Sequence, residues 1–172
     1  RSIDAPAVIV VEEPLLEPRI HIKGLVGDLF EYVREVLEGV HDRFVEEGKV
    51  EYTYHERLFR YGLPDGRVIN QVEKAIEKLR KAPYTRRAQA VTWQPWKDLE
   101  TDHPPCLQRV WFRVVGSRLV MHIHMRSNDA FKAAFMNMYA FTELQRYVAQ
   151  RLGVEVGYYM HIADSYHVYE RD

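Results

Sequence analysis

The chain has 172 residues, 47% of them hydrophobic and 28% charged, with 24 basic against 25 acidic side chains and a formal net charge of −1. This length suits one domain that buries roughly 70% of the surface its unfolded chain exposes, and the composition excludes a disordered or fibrous chain. Balanced charge gives no bulk case for nucleic acid, no apolar run approaches the roughly 20 residues that span a bilayer, and a single cysteine, Cys106, excludes an intrachain disulfide or a multi-cysteine zinc site and suits a reducing, cytoplasmic setting.

Residues 7–11 form a β-branched run and read as a strand, ended by prolines at 14 and 18. From residue 25 to about 47 apolar side chains recur at helical spacing (Leu29, Phe30, Val33, Val36, Leu37, Val40, Phe44), which predicts one long amphipathic helix starting at Leu25 and stopped by Gly48. His41-Asp42 on it resembles a metal-phosphohydrolase dipeptide but reads better as a solvated helix face. Residues 49–54 suit a strand, and Pro64-Asp65-Gly66 marks a turn. Val68, Ile69, Val72, Ile76 and Leu79 predict a second helix that ends before Pro83. Residues 88–93 read as a strand, and 94–105 as a polar surface loop of the kind that borders sites. Residues 110–115 read as a strand that turns at Gly116-Ser117 into a hairpin. In the returning strand Leu119, Met121, Ile123 and Met125 alternate with Val120, His122, His124 and Arg126, so each set takes one face. Periodicity predicts a third helix over 131–152, with Phe131, Phe135, Met138, Phe141 (or Tyr139), Leu144, Tyr147 and Val148 inward and Gly153 as its cap. Residues 154–162 read as a strand, and an extended 165–169 points His167 and Tyr169 the same way. Hairpin-linked strands mixed with three helices predict an α+β fold.

The stretch from Pro104 to Asn137 carries the chemistry. Cys106 follows two prolines, which fix the backbone where a polar loop meets a strand. A nucleophilic thiol needs a neighbouring positive charge. Hairpin positions that sum to about 233 should pair, and 106 plus 126 gives 232, so Arg126 is predicted beside the thiol. Arg86-Arg87 is a second basic pair whose planar forks suit a phosphate. His122 and His124 share a strand face and could chelate a metal with His161, Asp164 or His167, but half-buried polar side chains in a sheet are the simpler account, and no metal is expected.

Pro104-Pro105-Cys106, Arg126-Ser127-Asn128-Asp129, Asn137 and His167-x-Tyr169 stand in the order and spacing of thymidylate synthase. Tyr54, Pro64-Asp65-Gly66, Arg86-Arg87 and Trp93 agree upstream, so the resemblance covers about residues 54–169. The compact N-terminal part and the run Lys132-Ala133-Ala134-Phe135-Met136-Asn137 look most like archaeal-type members. The resemblance implies a thymidylate synthase fold over 1–172, a mixed sheet with flanking helices whose open face forms a homodimer interface. Residues 1–50 would be a divergent part, and the family's C-terminal closing segment is not represented up to Asp172.

It also implies the reaction: reductive methylation of dUMP to dTMP with 5,10-methylenetetrahydrofolate or a related pterin, through a covalent bond between Cys106 and C6 of uracil. Cys106, Tyr54, Asn137 and Arg126 match catalytic positions. Arg86, Arg87, Arg126, Ser127, Asp129, Asn137, His167 and Tyr169 match substrate ligands, with Arg86 and Arg87 reaching into the partner's phosphate site. Asp129 also matches the folate region. Neither membrane nor nucleic acid is an implied partner. Two positions depart from the family pattern: Leu107 stands where many members have histidine, and the glycine usual near folate is absent from 132–137. Arg19 and one of Glu31, Glu35 or Glu38 are the candidates for a further phosphate arginine and a proton-network glutamate. A pyrimidine-nucleotide hydroxymethylase and a catalytically weak nucleotide- or RNA-binding relative are the alternatives. Asn137 argues for uracil over cytosine, because an amide matches N3–H and O4.

Overall fold

The computed structural model describes residues 1–24 and 27–170; Leu25 and Asp172 lie outside them. The first strand, β1 (Ser2–Val11), is followed by α1 (Leu29–Glu38) and a short α2 (Asp42–Glu46). The predicted single helix is thus two. Gly39 ends α1 in the left-handed region at φ 69°, and a Cβ there would collide with the His55 imidazole and the Asp42 carboxylate. Phe30, expected inside, is exposed. Asp42, expected in solvent, is buried, accepting from Thr53 Oγ1 at 2.5 Å and paired with His55 Nδ1 at 2.6 Å.

Residues 49–54 are not a strand. Thr53 caps α3 (Tyr54–Phe59), its hydroxyl accepting from the Glu56 N–H at 3.0 Å. Strands β2 (Tyr61–Gly62) and β3 (Val68–Ile69) form a small ribbon around the Pro64-Asp65-Gly66 turn, so Val68 and Ile69 precede the second predicted helix rather than open it. That helix, α4 (Gln71–Lys81), starts at Asn70, whose side chain accepts from the Glu73 N–H at 3.0 Å. Asp28 does the same for Glu31 at 2.9 Å in α1. All three starts read cap-x-x-Glu, the spacing of a capping box.

Strand β4 (Ala88–Val91) leads to a four-residue helix, α5 (Pro95–Asp98), inside the predicted loop. β5 (Leu107–Val115) and β6 (Arg118–Asp129) form the predicted hairpin. Its pairs run Val115 with Arg118 and Val114 with Leu119, then slip by one at a bulge so that Leu107 faces Met125. The Arg126 N–H donates to the Cys106 carbonyl at 2.8 Å, as the expected sum of 232 requires. α6 (Ala134–Leu152) ends at Gly153 in the left-handed region, and β7 (Glu155–Tyr169) joins the predicted 154–162 and 165–169 into one strand.

The sheet order is β1-β7-β6-β5-β4, antiparallel except for the β6/β7 pair. This is the mixed sheet of an α+β fold. α6 is the crossover between the two parallel strands, and one of its side chains fastens them: the fully buried Gln145 donates to the carbonyls of Leu119, Gly157 and Tyr158 at 2.9, 3.2 and 3.0 Å. Helices cover one sheet face. Leu119, Met121, Ile123 and Met125 lie on it, all 1% exposed or less, against Ile76 and Leu79 of α4 and Phe141, Leu144 and Val148 of α6. Phe131 is exposed rather than inward, because α6 starts only after a turn at 130–133. The opposite face carries Val8, Val10, Trp111, His122, Tyr158 and Met160 in register. Pro6 sits at the bulge of β1, an edge strand, where a missing N–H costs no ladder bond.

Candidate active site

The end of β5 that starts at Leu107 lies beside the ends of β6 and β7 that finish at Asp129 and Tyr169. Because β6 and β7 run parallel in register, Ser127 pairs with Ser165 and Asp129 with His167. Two motifs some forty residues apart are thereby set side by side. Three helices also begin here: Tyr32, Tyr54 and Asn137 stand in the first turns of α1, α3 and α6. The result is a cavity of about 280 Å³ whose wall includes Cys106, Tyr54, Ser127, Asp129, Asn137 and His167, with Tyr169 at its edge.

Cys106 is half-buried, with Arg126 Nη2 3.8 Å from its sulfur. The guanidinium also donates from Nε to the Pro105 carbonyl at 2.9 Å and from Nη2 to the Pro104 carbonyl at 2.7 Å. Gln108 Nε2 shares the Pro105 carbonyl at 2.9 Å, and the arginine fixes the loop that displays the thiol. Tyr54 is buried and accepts from the Leu107 N–H at 3.3 Å. Tyr52 lies against it, ring centroids 5.5 Å apart. Burial pushes Tyr54 well above the usual phenol range, and burial also raises Tyr52, so both stay protonated at neutral pH.

Asp129 Oδ1 accepts from the Phe131 and Lys132 N–H groups at 3.0 and 2.7 Å and so shapes the turn that launches α6. His167 is buried, its ring edge-on to Tyr169 at 5.1 Å. Asn137 is held from both sides. Its Oδ1 accepts from Asn128 Nδ2 at 2.9 Å, and its Nδ2 donates to the Tyr32 hydroxyl at 2.6 Å. Behind Asn128 stands His161, Nε2 to Oδ1 at 2.7 Å, and behind His161 stands the Tyr159 hydroxyl, 2.8 Å from Nδ1. Burial lowers His161 to about 4, which keeps it neutral, and raises Tyr159 well above the phenol range.

Seven of the ten residues expected in the site therefore line one cavity, and an eighth, Arg126, stands against its thiol. Arg86 and Arg87 do not. They are exposed at the start of edge strand β4, and neither guanidinium has an ion pair among the described residues. Arg19 is also elsewhere: it donates to Glu143 and Thr142 at 2.5 and 2.8 Å over the Tyr139 ring. Of the three candidate glutamates, Glu35 is the one whose charge adds to burial in raising Tyr32. His41, bonded to Glu35 and Glu31, is correspondingly raised. The metal alternative loses its geometry. His122 meets Tyr158 and His124 meets Asp164 on the open face, whereas His161 lies on the core face. No group of three His, Cys, Asp or Glu is placed to hold a metal among the described residues. Sequence reasoning gave no role to Tyr32, Tyr52 or Asn128, although Asn128 stands inside the Arg126-to-Asp129 motif, and it named His161 only as a possible metal ligand. The signal for its place in the core was its two-residue period with Tyr159 and buried Ala163.

The family model for thymidylate synthase matches residues 28–172. The chain belongs to the thymidylate synthase family. Among its relatives, a Methanocaldococcus jannaschii protein named "Putative thymidylate synthase" is 38% identical over 148 residues, 83% of this chain and 64% of its own length. A Methanopyrus kandleri protein of the same name is 44% identical over 124 residues, 71% of this chain and 56% of its own. One from Methanosarcina mazei is 35% identical over 167 residues, 96% of this chain and 72% of its own. The chain thus spans between about half and three-quarters of the length of these archaeal members of the thymidylate synthase family. No helix among the described residues is long and apolar enough to cross a membrane.

Proposed function

We propose that the protein is a thymidylate synthase that methylates C5 of dUMP, with Cys106 as the nucleophile. The observation that carries this reading is one cavity wall holding the thiol and a fixed amide, with Arg126 Nη2 3.8 Å from the thiol sulfur. With the pyrimidine against Asn137, the Cys106 sulfur bonds to C6, and the electron pair of the C5–C6 bond moves toward C5 and O4. Asn137 Nδ2 has one N–H beyond its bond to Tyr32, and that donor is suited to the charge developing on O4. C5 then forms its new carbon bond and gives up its proton, and the sulfur leaves as the C5–C6 double bond returns. Arg126 offsets negative charge on the thiolate at the start and the end of this sequence. Its Nη1, which has no protein partner among the described residues, is available to a phosphate oxygen beside Ser127. His167 and Tyr169 would take the ribose hydroxyl, and Tyr54 would keep a proton network against the ring.

The reduced folate, as co-substrate, supplies the one-carbon unit and the hydride. A cavity of about 280 Å³ is at the small end of the roughly 300–1,000 Å³ of ligand sites. It suits the nucleotide, and the pterin would stack at its mouth near Asp129. Arg86 and Arg87 would complete the phosphate site of a partner across the open sheet face in a homodimer.

The test is release of tritium from C5-labelled dUMP by the complete protein with methylenetetrahydrofolate, together with a covalent adduct to 5-fluoro-dUMP. We expect both, and expect Cys106→Ala to abolish both. A folded protein that releases no tritium refutes the reading. A product heavier than dTMP by one oxygen would make it a hydroxymethylase.

A further inference from the structure

An amide reads a base by the order of its oxygen and nitrogen, and a freely turning amide reads nothing. Asn137 has four hydrogen-bonding positions, two acceptor and two donor. Asn128 and Tyr32 occupy one of each and leave one acceptor and one donor for the cavity. Which of the two lies on which side depends on the chain of groups behind it.

That chain admits only two self-consistent directions. In the first, the Tyr159 hydroxyl donates to His161 Nδ1, His161 Nε2–H donates to Asn128, Asn128 Nδ2 donates to Asn137 Oδ1, and Asn137 Nδ2 donates to Tyr32. In the second, every bond is reversed. Neutral His161 carries a single N–H, so the two cannot mix. They differ at their ends. The reversed chain leaves the Tyr159 hydroxyl proton without an acceptor, because Tyr159 is 0% exposed and His161 is its one hydrogen-bond partner among the described residues. The forward chain leaves instead the Tyr32 proton; that hydroxyl is also buried, but the negative charge of Glu35 lies near it, whereas no carboxylate acts on Tyr159. A buried donor proton with no negative charge near it is the costlier end.

We infer that Asn128 and His161, driven by Tyr159, are specificity-determining positioning residues that lock Asn137 with its oxygen toward Asn128 and its nitrogen toward Tyr32. The cavity then meets one acceptor for N3–H and one donor for O4, the order uracil needs. Cytosine, with an unprotonated N3 and an amino group at C4, needs the reverse. The discrimination is therefore set two and three side chains behind the one that touches the base. This rests on the reading of the cavity as a pyrimidine-nucleotide site.

The experiment measures dUMP and dCMP binding calorimetrically on the complete protein, its Tyr159→Phe and its Asn128→Asp variant, and assigns the His161 tautomer by ¹⁵N NMR. Tyr159→Phe removes one oxygen and keeps the ring packing. Asn128→Asp puts an acceptor where Asn128 Nδ2 now donates to Asn137 Oδ1 and so favours a turned amide. We expect the wild type to prefer dUMP by about a hundredfold or more, with His161 protonated on Nε2. The preference should narrow by about tenfold in Tyr159→Phe and further, or invert, in Asn128→Asp. A ratio unchanged while both affinities fall together would show a merely structural role and overturn the inference, as would a wild-type His161 protonated on Nδ1. Wild-type protein that binds neither nucleotide would overturn the reading of the cavity itself, and with it the base preference. The tautomer would still decide which way the chain of hydrogen bonds runs.

Discussion

Arg126 has little freedom: with two carbonyls and a sulfur on its nitrogens it keeps the thiol and the cation in register before any substrate arrives. Tyr54 works similarly on the other side. Tyr54→Phe would strip the acceptor from the fully buried Leu107 N–H and cost about 1–3 kcal/mol, measurable as a lowered urea midpoint. His161 sets a pH dependence. Its folded value near 4 is below the roughly 6.5 of an unfolded histidine, so between those values the unfolded chain takes up a proton that the folded one refuses. Stability is therefore full above about pH 6.5 and falls by up to roughly 3 kcal/mol as pH drops to 4. Denaturant unfolding of His161→Gln should show a flatter curve over that window. The pairing of Cys106 with Arg126 was legible because a two-residue turn fixes hairpin register by arithmetic. Tyr32 and Asn128 were not, since their meeting at Asn137 depends on how α1 docks onto the sheet.

At the scale of elements, periodicity found the helices and local chemistry placed their ends. The 25–47 pattern is apolar enough for one helix, and Gly39 overrides it because α2 must turn to bury Asp42 against Thr53 and His55. Thr53-x-x-Glu56 and Asn70-x-x-Glu73 announce α3 and α4 more sharply than the β-branched residues beside them suggest strands. Hidden from any pattern is Arg57, fully buried in α3. It makes two bonds of 2.7 and 2.8 Å to Asp98 and one of 2.7 Å to the Thr92 carbonyl, tying α3 to the loop before Cys106. Burial alone would raise the Asp98 carboxyl, but bonds from Arg57 and the Gln94 N–H hold it below the usual range. The stabilisation is present above the ordinary carboxylate pKa and is lost only as pH falls through the lower folded value. Arg57→Met strands that carboxylate and should cost about 3–5 kcal/mol, read by thermal unfolding.

For the molecule as a whole, the sheet order could not be read from the chain. A hairpin is local, whereas β1 against β7 joins residues about 150 or more positions apart, and nothing in either strand names its partner. The open face, with Val8, Val10, Trp111 and Met160 in register, is where the proposed homodimer would form. If Arg86 and Arg87 serve the partner's site, then mixing Cys106→Ala protein with an Arg86→Ala/Arg87→Ala double variant should restore activity that neither has alone. Each mixed dimer would own one site with an intact thiol and intact arginines. Absence of restoration, with mixed dimers confirmed by mass, would place those arginines outside the reaction.

The solitary thiol has one more use. Because Cys106 is the chain's one cysteine and stands on the cavity wall, any reagent selective for thiols addresses this position and no other in the chain. Alkylation becomes an occupancy gauge: a ligand seated over the sulfur should slow modification, and one bound elsewhere should leave the rate alone. The site can thus be surveyed, compound by compound, without a turnover assay.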